Sequence, residues 1–458
     1  MADRSVVEAV DVHRLPMAGR TDAELRGLTG IHQDRLHTGA DPEALLPEAF
    51  AAVREAFRRT TGDEVTGAHL VAAAALTRGH VVVLRAGGHP VLASTPAAHL
   101  AALTGRPVHV VAPTAAEART LCVEAAPALL VLGRTVGLVP SGTDREEYRR
   151  AYAADVTYGA YTDPIYDDLR GGLAYEPAHV VQRGLGTAIV HGATEVLLDR
   201  SREPQRISTG SGPDLRTVAE IAVGAHFRRY ERLCGLADAA DPDVFAALYD
   251  LDTVGVTGIT LIRTTRSGSG PGLAHRLRTE RFDAVFERQR SEVRAQRDRM
   301  LTGDRPLEIA REMRDEAVGL FLGATLPSSW VSRTQLQALA EELTTVLGHP
   351  PPAALRSRRR DRVVAAAHQL VATSWDARER EAELGPELAR RIMLLVLDQR
   401  WSEHLAALDD LQTAMWLTPT RGADPLEYYQ RRTDEMFDEL QYLIHRDTLS
   451  YCLQATAE

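Results

Sequence analysis

Apolar residues along the chain follow two regimes. From residue 65 to 206 short apolar runs alternate with stretches of helical spacing, and from residue 273 onward the spacing is helical throughout. The first run, Val81-Val82-Val83-Leu84, is continuously apolar and β-branched, as in a strand buried on both faces of a parallel sheet. Further strands are predicted at 107–111, 135–138, 155–158 and 187–190. Between the first two, Leu92, Ala97, Leu100 and Leu103 recur at helical intervals, and Gly105 closes that helix. Alternating strands and helices predict an α/β domain with a largely parallel sheet. Ahead of it, residues 1–20 read as irregular, followed by helices over Thr21–Leu36 and Pro47–Arg59.

The later half predicts helices over Thr279–Leu301, Pro306–Leu322, Glu387–Leu417 and Leu426–Leu453. Leu394, Leu397, Trp401, Leu405, Leu408, Leu411 and Met415 form the stripe of one long helix, and Tyr429, Phe437, Leu440 and Ile444 that of the next. A polar turn, 418–425, joins them, so the two should pack antiparallel as a hairpin with Leu405 and Leu408 in its core. Gly/Ser-rich linkers stand at 207–214 and 263–272, and the prolines 350–352 with the arginines of 356–362 mark an exposed loop.

Candidate chemistry centres on the turn after the first strand. A phosphate-binding loop there needs glycine amides, a Lys for the β- and γ-phosphates and a Ser or Thr hydroxyl for magnesium. This turn reads Ala86-Gly87-Gly88-His89-Pro90-Val91. Two glycines remain, but the Lys and the hydroxyl do not, and Pro90 removes an amide donor. All 53 basic residues are arginine, so no lysine-dependent chemistry is open anywhere in the chain. Arg85 does not replace an ammonium, because a planar guanidinium on the strand side cannot reach over the loop.

Four segments, 45–59 (LLPEAFAAVREAFRR), 100–111 (LAALTGRPVHVV), 151–159 (AYAADVTYG) and 395–411 (LVLDQRWSEHLAALDDL), resemble the SecA preprotein translocase ATPase family. The resemblance implies an α/β plus all-α architecture: a P-loop-like parallel-sheet motor domain, then a helical scaffold with a two-helix finger. In that frame residues 1–64 are an N-terminal helical segment and 65–214 a degenerate nucleotide-binding domain. Residues 215–272 are a vestige of the second motor domain with a linker, and 273–458 the helical scaffold. The family's magnesium-binding Asp-Glu pair corresponds to His191-Gly192, one later acid to Arg200, and the adenine-reading Gln to His69. The second domain's arginine contacts to the γ-phosphate have no counterpart, nor does the cysteine-rich zinc tail.

Composition narrows the classes. A net charge of −10 disfavours a nucleic-acid partner. Three scattered cysteines (Cys122, Cys234, Cys452) argue against disulfides and a Cys-based zinc site. Neither a signal peptide nor an apolar run of the ~18 residues that a membrane span needs is evident. Those readings place the protein in the cytoplasm, with peripheral contact at the inner face of the plasma membrane open.

Each pointed reading has a plainer rival. His89 and His191 suggest a new metal or catalytic centre; leftover residues of a lapsed nucleotide site fit better, because no carboxylate stands at ligand spacing. Asp167-Asp168 reads as helix capping rather than acid–base chemistry. The cluster Arg356, Arg358, Arg359 and Arg360 reads as a solvated loop more than as a contact for lipid or partner. At the hairpin tip Trp416, Thr418, Thr420 and Arg421 form a candidate partner surface, with Trp416 as plain hairpin core the equal alternative; the family's Tyr at the tip is Thr420 here. The resulting expectation is a SecA-like pseudo-ATPase, without cofactor or metal, that binds a client polypeptide or a Sec-type translocation partner. Residual ATP or ADP binding stays open, as does an ATP-dependent translocase subunit with a substitute site.

Overall fold

The computed structural model describes residues 2–84, 89–140, 144–209, 216–237, 253–254, 271–351, 357–381, 383–417 and 425–455. The chain forms two compact units, one of residues 1–171 with 178–280, the other of 172–177 with 281–458.

Residues 1–20, read from sequence as irregular, instead hold helices Ala2–Val12 and Arg14–Ala18. Asp22–His37 follows, its first turn closed by a capping box in which Glu24 N donates to Thr21 Oγ1 at 3.3 Å and Thr21 N to Glu24 Oε2 at 2.7 Å. Pro42–Thr60 starts on an Asp41 cap with Pro42 in its first turn. It buries Leu45, Leu46, Phe50, Val53 and Phe57, so its apolar side is held by packing.

The sheet of the first unit has the order β3-β4-β2-β5-β8-β1-β9 and every pairing is parallel. Its strands are β1 (Val81–Val83), β2 (Val108–Ala112), β3 (Val136–Leu138), β4 (Val156–Ala160), β5 (Thr187–His191), β8 (Arg232–Ala237) and β9 (Thr253–Val254). Helices cover both faces, which is why the strand sequences are apolar throughout rather than alternating. Val82, Val108, Val110, Ile189, Cys234 and Leu236 meet the helices Pro42–Thr60, Gly67–Thr77, Pro90–Ala102 and Ala115–Val131 in one core. Val81, Val111, Ala188, Val190 and Leu233 line the second core, with Ile165 and Leu169 of the Thr162–Gly171 helix. A separate antiparallel pair, β6 (Pro204–Thr209) and β7 (Arg216–Ala222), carries a register shift at Ile207/Ser208.

The compact units do not divide at 214/215. Residues 232–237, grouped by sequence with a second motor-like piece, lie inside the first sheet between β5 and β1, with Ile189 opposite Cys234 and Val82 opposite Leu236. Gly235 explains the fit: a Cβ there would stand 2.8 Å from the Ala193 side chain.

The second unit is helical. Pro271–Thr302, Pro306–Thr325, Arg333–Leu347, Arg360–Arg380, Pro386–Leu417 and Pro425–Gln454 are its helices, the first of them beginning in residues grouped with the other unit. The stretch 356–362 is not a free loop: Trp330 and Arg359 form an antiparallel bridge and a helix starts at Arg360. The last two helices pack on each other, and Arg400 meets Asp447 at 2.6 Å, a pairing that runs back from the 418–424 connection as antiparallel helices require. Leu394, Leu397, Leu408, Tyr429, Phe437, Leu440 and Ile444 are buried, whereas Leu405 is only half-buried. No described helix is long and apolar enough to cross a membrane.

Candidate functional site

Loops of a doubly wound sheet gather at the carboxyl ends of its strands, and most of the sequence-predicted positions fall there. Beyond β1, Leu84 N donates to Ala237 O at 3.2 Å. Ala86, Gly87 and Gly88 lie outside the described residues. The chain resumes at His89, an exposed N-cap with extended backbone (φ −85°, ψ 97°) that makes no side-chain cap bond. Pro90 occupies the first turn, where its missing N–H costs the helix nothing but offers an anion one donor fewer. Val91 is buried in the core and presents no polar group.

At the end of β5, His191 is 6% exposed and its Nε2 has no partner among the described residues. Burial pushes its pKa down to about 4, so the ring is neutral near pH 7. Gly192 follows with φ +61°, and a Cβ added there would stand 2.5 Å from Pro113 Cγ. A side chain at this position would therefore meet a proline ring, in a backbone conformation that L residues disfavour. No group of three His, Cys, Asp or Glu able to hold a metal ion stands among the described residues.

The charges beyond it are turned on one another. Thr194–Asp199 forms a π-helical turn, and Arg200 donates to Glu195 at 3.0 Å and Glu203 at 3.3 Å while its guanidinium lies 5.7 Å from the Tyr161 ring centre. His69 sits at the start of the Gly67–Thr77 helix, where its Nδ1 accepts from Thr66 N at 3.2 Å. That bond puts the ring proton on Nε2; burial, and then the nearby His89, lower its pKa. A histidine spent on closing a helix end is poorly placed to read a base.

Asp167 and Asp168 are not caps. Asp167 accepts from Tyr152 OH at 2.8 Å and Arg170 at 2.9 Å, and Asp168 from Arg229 at 2.6 Å. Beside them His109 of β2 pairs its Nδ1 with Tyr230 OH at 2.7 Å, the rings of Tyr152 and Tyr230 pack edge-on against it, and His226 packs edge-on against Tyr230. Burial above all, then His226, drives the His109 pKa down to about 3. Sequence reasoning missed this buried network, because its members come from four separate segments. Each polar atom it satisfies removes a cost of ~1–3 kcal/mol, which is reason enough for its presence.

A cleft of about 540 Å³ lies at the opposite, amino edge of the sheet, among Thr77, Arg78, Thr187 and Arg232. Arg78 is paired with Glu43 and Arg106 with Glu231 there, while Arg232 donates to Thr77 O. In the helical unit Thr418, Thr420 and Arg421 lie outside the described residues; Trp416 belongs to the Pro386–Leu417 helix, and its side chain is likewise outside them.

Comparison with known proteins gives two matches. The SecA DEAD-like domain matches residues 2–216, and the SecA wing and scaffold domain matches residues 272–456. The protein translocase subunit SecA of Pelotomaculum thermopropionicum is 37% identical over 203 residues, which are 44% of this chain and 23% of that protein. That of Beutenbergia cavernae is 39% identical over 218 residues, 47% of this chain and 22% of the relative. The aligned stretch is thus under a quarter of either relative's length.

Proposed function

From a chain that belongs to the SecA family, by its DEAD-like half and its wing and scaffold half alike, we propose a protein of the preprotein translocation system that no longer hydrolyses ATP. It acts as a binding or accessory subunit for a client polypeptide or a Sec-type partner, in the cytoplasm or at the inner face of the plasma membrane. The observation that carries the loss of hydrolysis is the His191-Gly192 corner. Phosphoryl transfer depends on charge neutralisation by a metal and by cationic side chains. Here the acids are replaced by a neutral buried ring and a glycine packed on Pro113, in a chain without lysine.

The partner surface we assign to the hairpin tip: Trp416, Thr418, Thr420 and Arg421. An aromatic ring and a guanidinium are the side chains that most often anchor an interface.

Two measurements test the reading. Phosphate release from ATP should stay at the buffer level at any protein concentration; release that scales with protein and disappears in His191→Ala overturns the loss of hydrolysis. Site-specific crosslinking to an unfolded preprotein and to Sec-channel membranes should fall strongly in the Trp416→Ala, Arg421→Ala double variant. Unchanged capture by a folded double variant removes the tip from the surface.

A further inference from the structure

In the helical unit Trp330 is 69% exposed, the most open tryptophan for which exposure is described. Its backbone is well tied. Its backbone pairs antiparallel with Arg359, Val331 N donates to Arg358 O at 2.9 Å, and Arg360 N donates to Ser329 O at 3.1 Å. Ser328 Oγ donates to the Trp330 carbonyl at 2.8 Å, and Arg360 Nε reaches Leu326 O at 2.7 Å. Just beyond, Ser332 and Gln335 close the next helix with a capping box. An indole left in water costs apolar exposure, yet here the backbone that carries it is held by four hydrogen bonds.

The surroundings are cationic. Arg359 is tied to Asp361 at 2.9 Å, but Arg333, Arg358 and Arg362 are exposed and have no carboxylate partner among the described residues. In a chain of net charge −10 this corner is a local exception, not part of a generally basic surface.

We propose that the Trp330–arginine corner is a docking surface for an acidic, extended polypeptide segment. Charge complementarity selects the sign, and guanidinium forks suit carboxylates in bidentate pairs. The exposed indole, on a hydrogen-bonded backbone, supplies the apolar anchor. A bilayer fits less well: interfacial insertion relies on a broad apolar face along a helix, and Trp330 stands in the connection between the Pro306–Thr325 and Arg333–Leu347 helices. The proposal is independent of whether ATP is hydrolysed and of the hairpin tip.

The test uses the full chain and a short fluorescein-labelled peptide of Asp and Glu with one central Tyr, read by anisotropy. Its Asn/Gln counterpart and vesicles of phosphatidylglycerol with phosphatidylcholine are run beside it. The acidic peptide should bind, the neutral one should not, and salt should weaken the complex. Trp330→Ala should weaken binding about tenfold. Arg358→Gln with Arg362→Gln should do the same and flatten the salt dependence, while Arg305→Gln, an exposed change elsewhere on this unit, leaves it unchanged. Equal binding of acidic and neutral peptides overturns the proposal, as does wild-type affinity in both the Trp330 and the arginine variants. Vesicle binding that requires Trp330, with no peptide binding, overturns it in favour of a lipid surface.

Discussion

Interior polar groups of the α/β unit are mostly neutral rings and hydroxyls. His99, His109 and His191 are buried and held unprotonated, and Tyr152 and Tyr230 spend their hydroxyls on Asp167 and His109. The helical unit places ion pairs between its helices. Arg297, 5% exposed, grips both oxygens of Asp398 at 2.8 and 2.9 Å and donates to Ala174 O; Arg400 meets Asp447; Arg311 pairs with Glu379. The α/β unit buries charge as well, at Glu55, Arg134, Asp167 and Asp168, alongside its histidines, whereas the ion pairs of the helical unit join long helices in register without needing a ligand. The two should therefore fail under different conditions. All four tryptophans (Trp330, Trp375, Trp401, Trp416) lie in the helical unit, so indole fluorescence follows that unit alone.

The largest expected difference is with acid. A histidine whose folded pKa lies below its unfolded value of ~6.5 leaves the unfolded chain binding more protons as pH falls from 6.5 towards 4. Stability is full above pH 6.5, declines through that window, and levels off below the folded pKa. At pH 5 a histidine with a folded pKa of about 4 removes about 2 kcal/mol. Among the described residues the pKa is lowered at His32, His69, His99, His109 and His191 in the α/β unit, to about 3 at His109 and about 4 at His191, and at His404, to about 4, and His445 in the helical unit. Asp163 works in the opposite sense: burial raises it to about 6, which returns about 1 kcal/mol to the α/β unit at pH 5. Urea melts at pH 7.5 and 5 should show the far-ultraviolet transition moving to lower urea well before the tryptophan transition. Coincident movement of both signals would dissolve the distinction between the units.

How much of this was legible differs between fold and site. Strands β1 to β5 announced themselves as β-branched runs. β8 did not: Arg232-Leu233-Cys234-Gly235-Leu236-Ala237 has no β-branched residue, and its glycine is there for the contact with Ala193. At the candidate site, the changed letters of the phosphate turn and of His191-Gly192 were readable. That Pro113 fills the space at Gly192 was not, because the two are brought together by neighbouring strands and far apart in sequence. Asp167 and Asp168 were misread for the same reason, since Tyr152 and Arg229 lie on other segments.

A second difference should appear on breaking a charge pair. Arg297→Ala leaves Asp398 without its bidentate partner and frees Ala174 O, so about 3–5 kcal/mol should be lost from the helical unit. The tryptophan transition should shift to lower urea and the far-ultraviolet signal should split into two steps. Replacing both partners, Arg297→Met with Asp398→Leu, should recover much of the loss, because the uncompensated charge is what costs most. A double variant as unstable as Arg297→Ala would mean that the pair supplies net stability and that the helical unit depends on buried charge for more than register.

The smallest effect lies within the hairpin, where periodicity gives Leu405 and Leu408 the same role. Leu408 is 5% exposed and Leu405 half-buried, three residues earlier on the same helix. Truncation removes the transfer energy of the lost methyl groups, and where the site is closed it also leaves a cavity. At Leu408 both terms apply, and Leu408→Ala should cost about 2–4 kcal/mol. At Leu405 water can occupy the vacated space, so only part of the transfer term remains, about 1 kcal/mol. Tryptophan-detected urea midpoints of the two variants, measured at one pH, decide between the readings. Equal losses would mean that Leu405 is as enclosed as Leu408 and that the sequence stripe alone was the better guide to this helix; a loss several-fold larger at Leu408 would place the seam of the hairpin along Leu394, Leu397, His404 and Leu408.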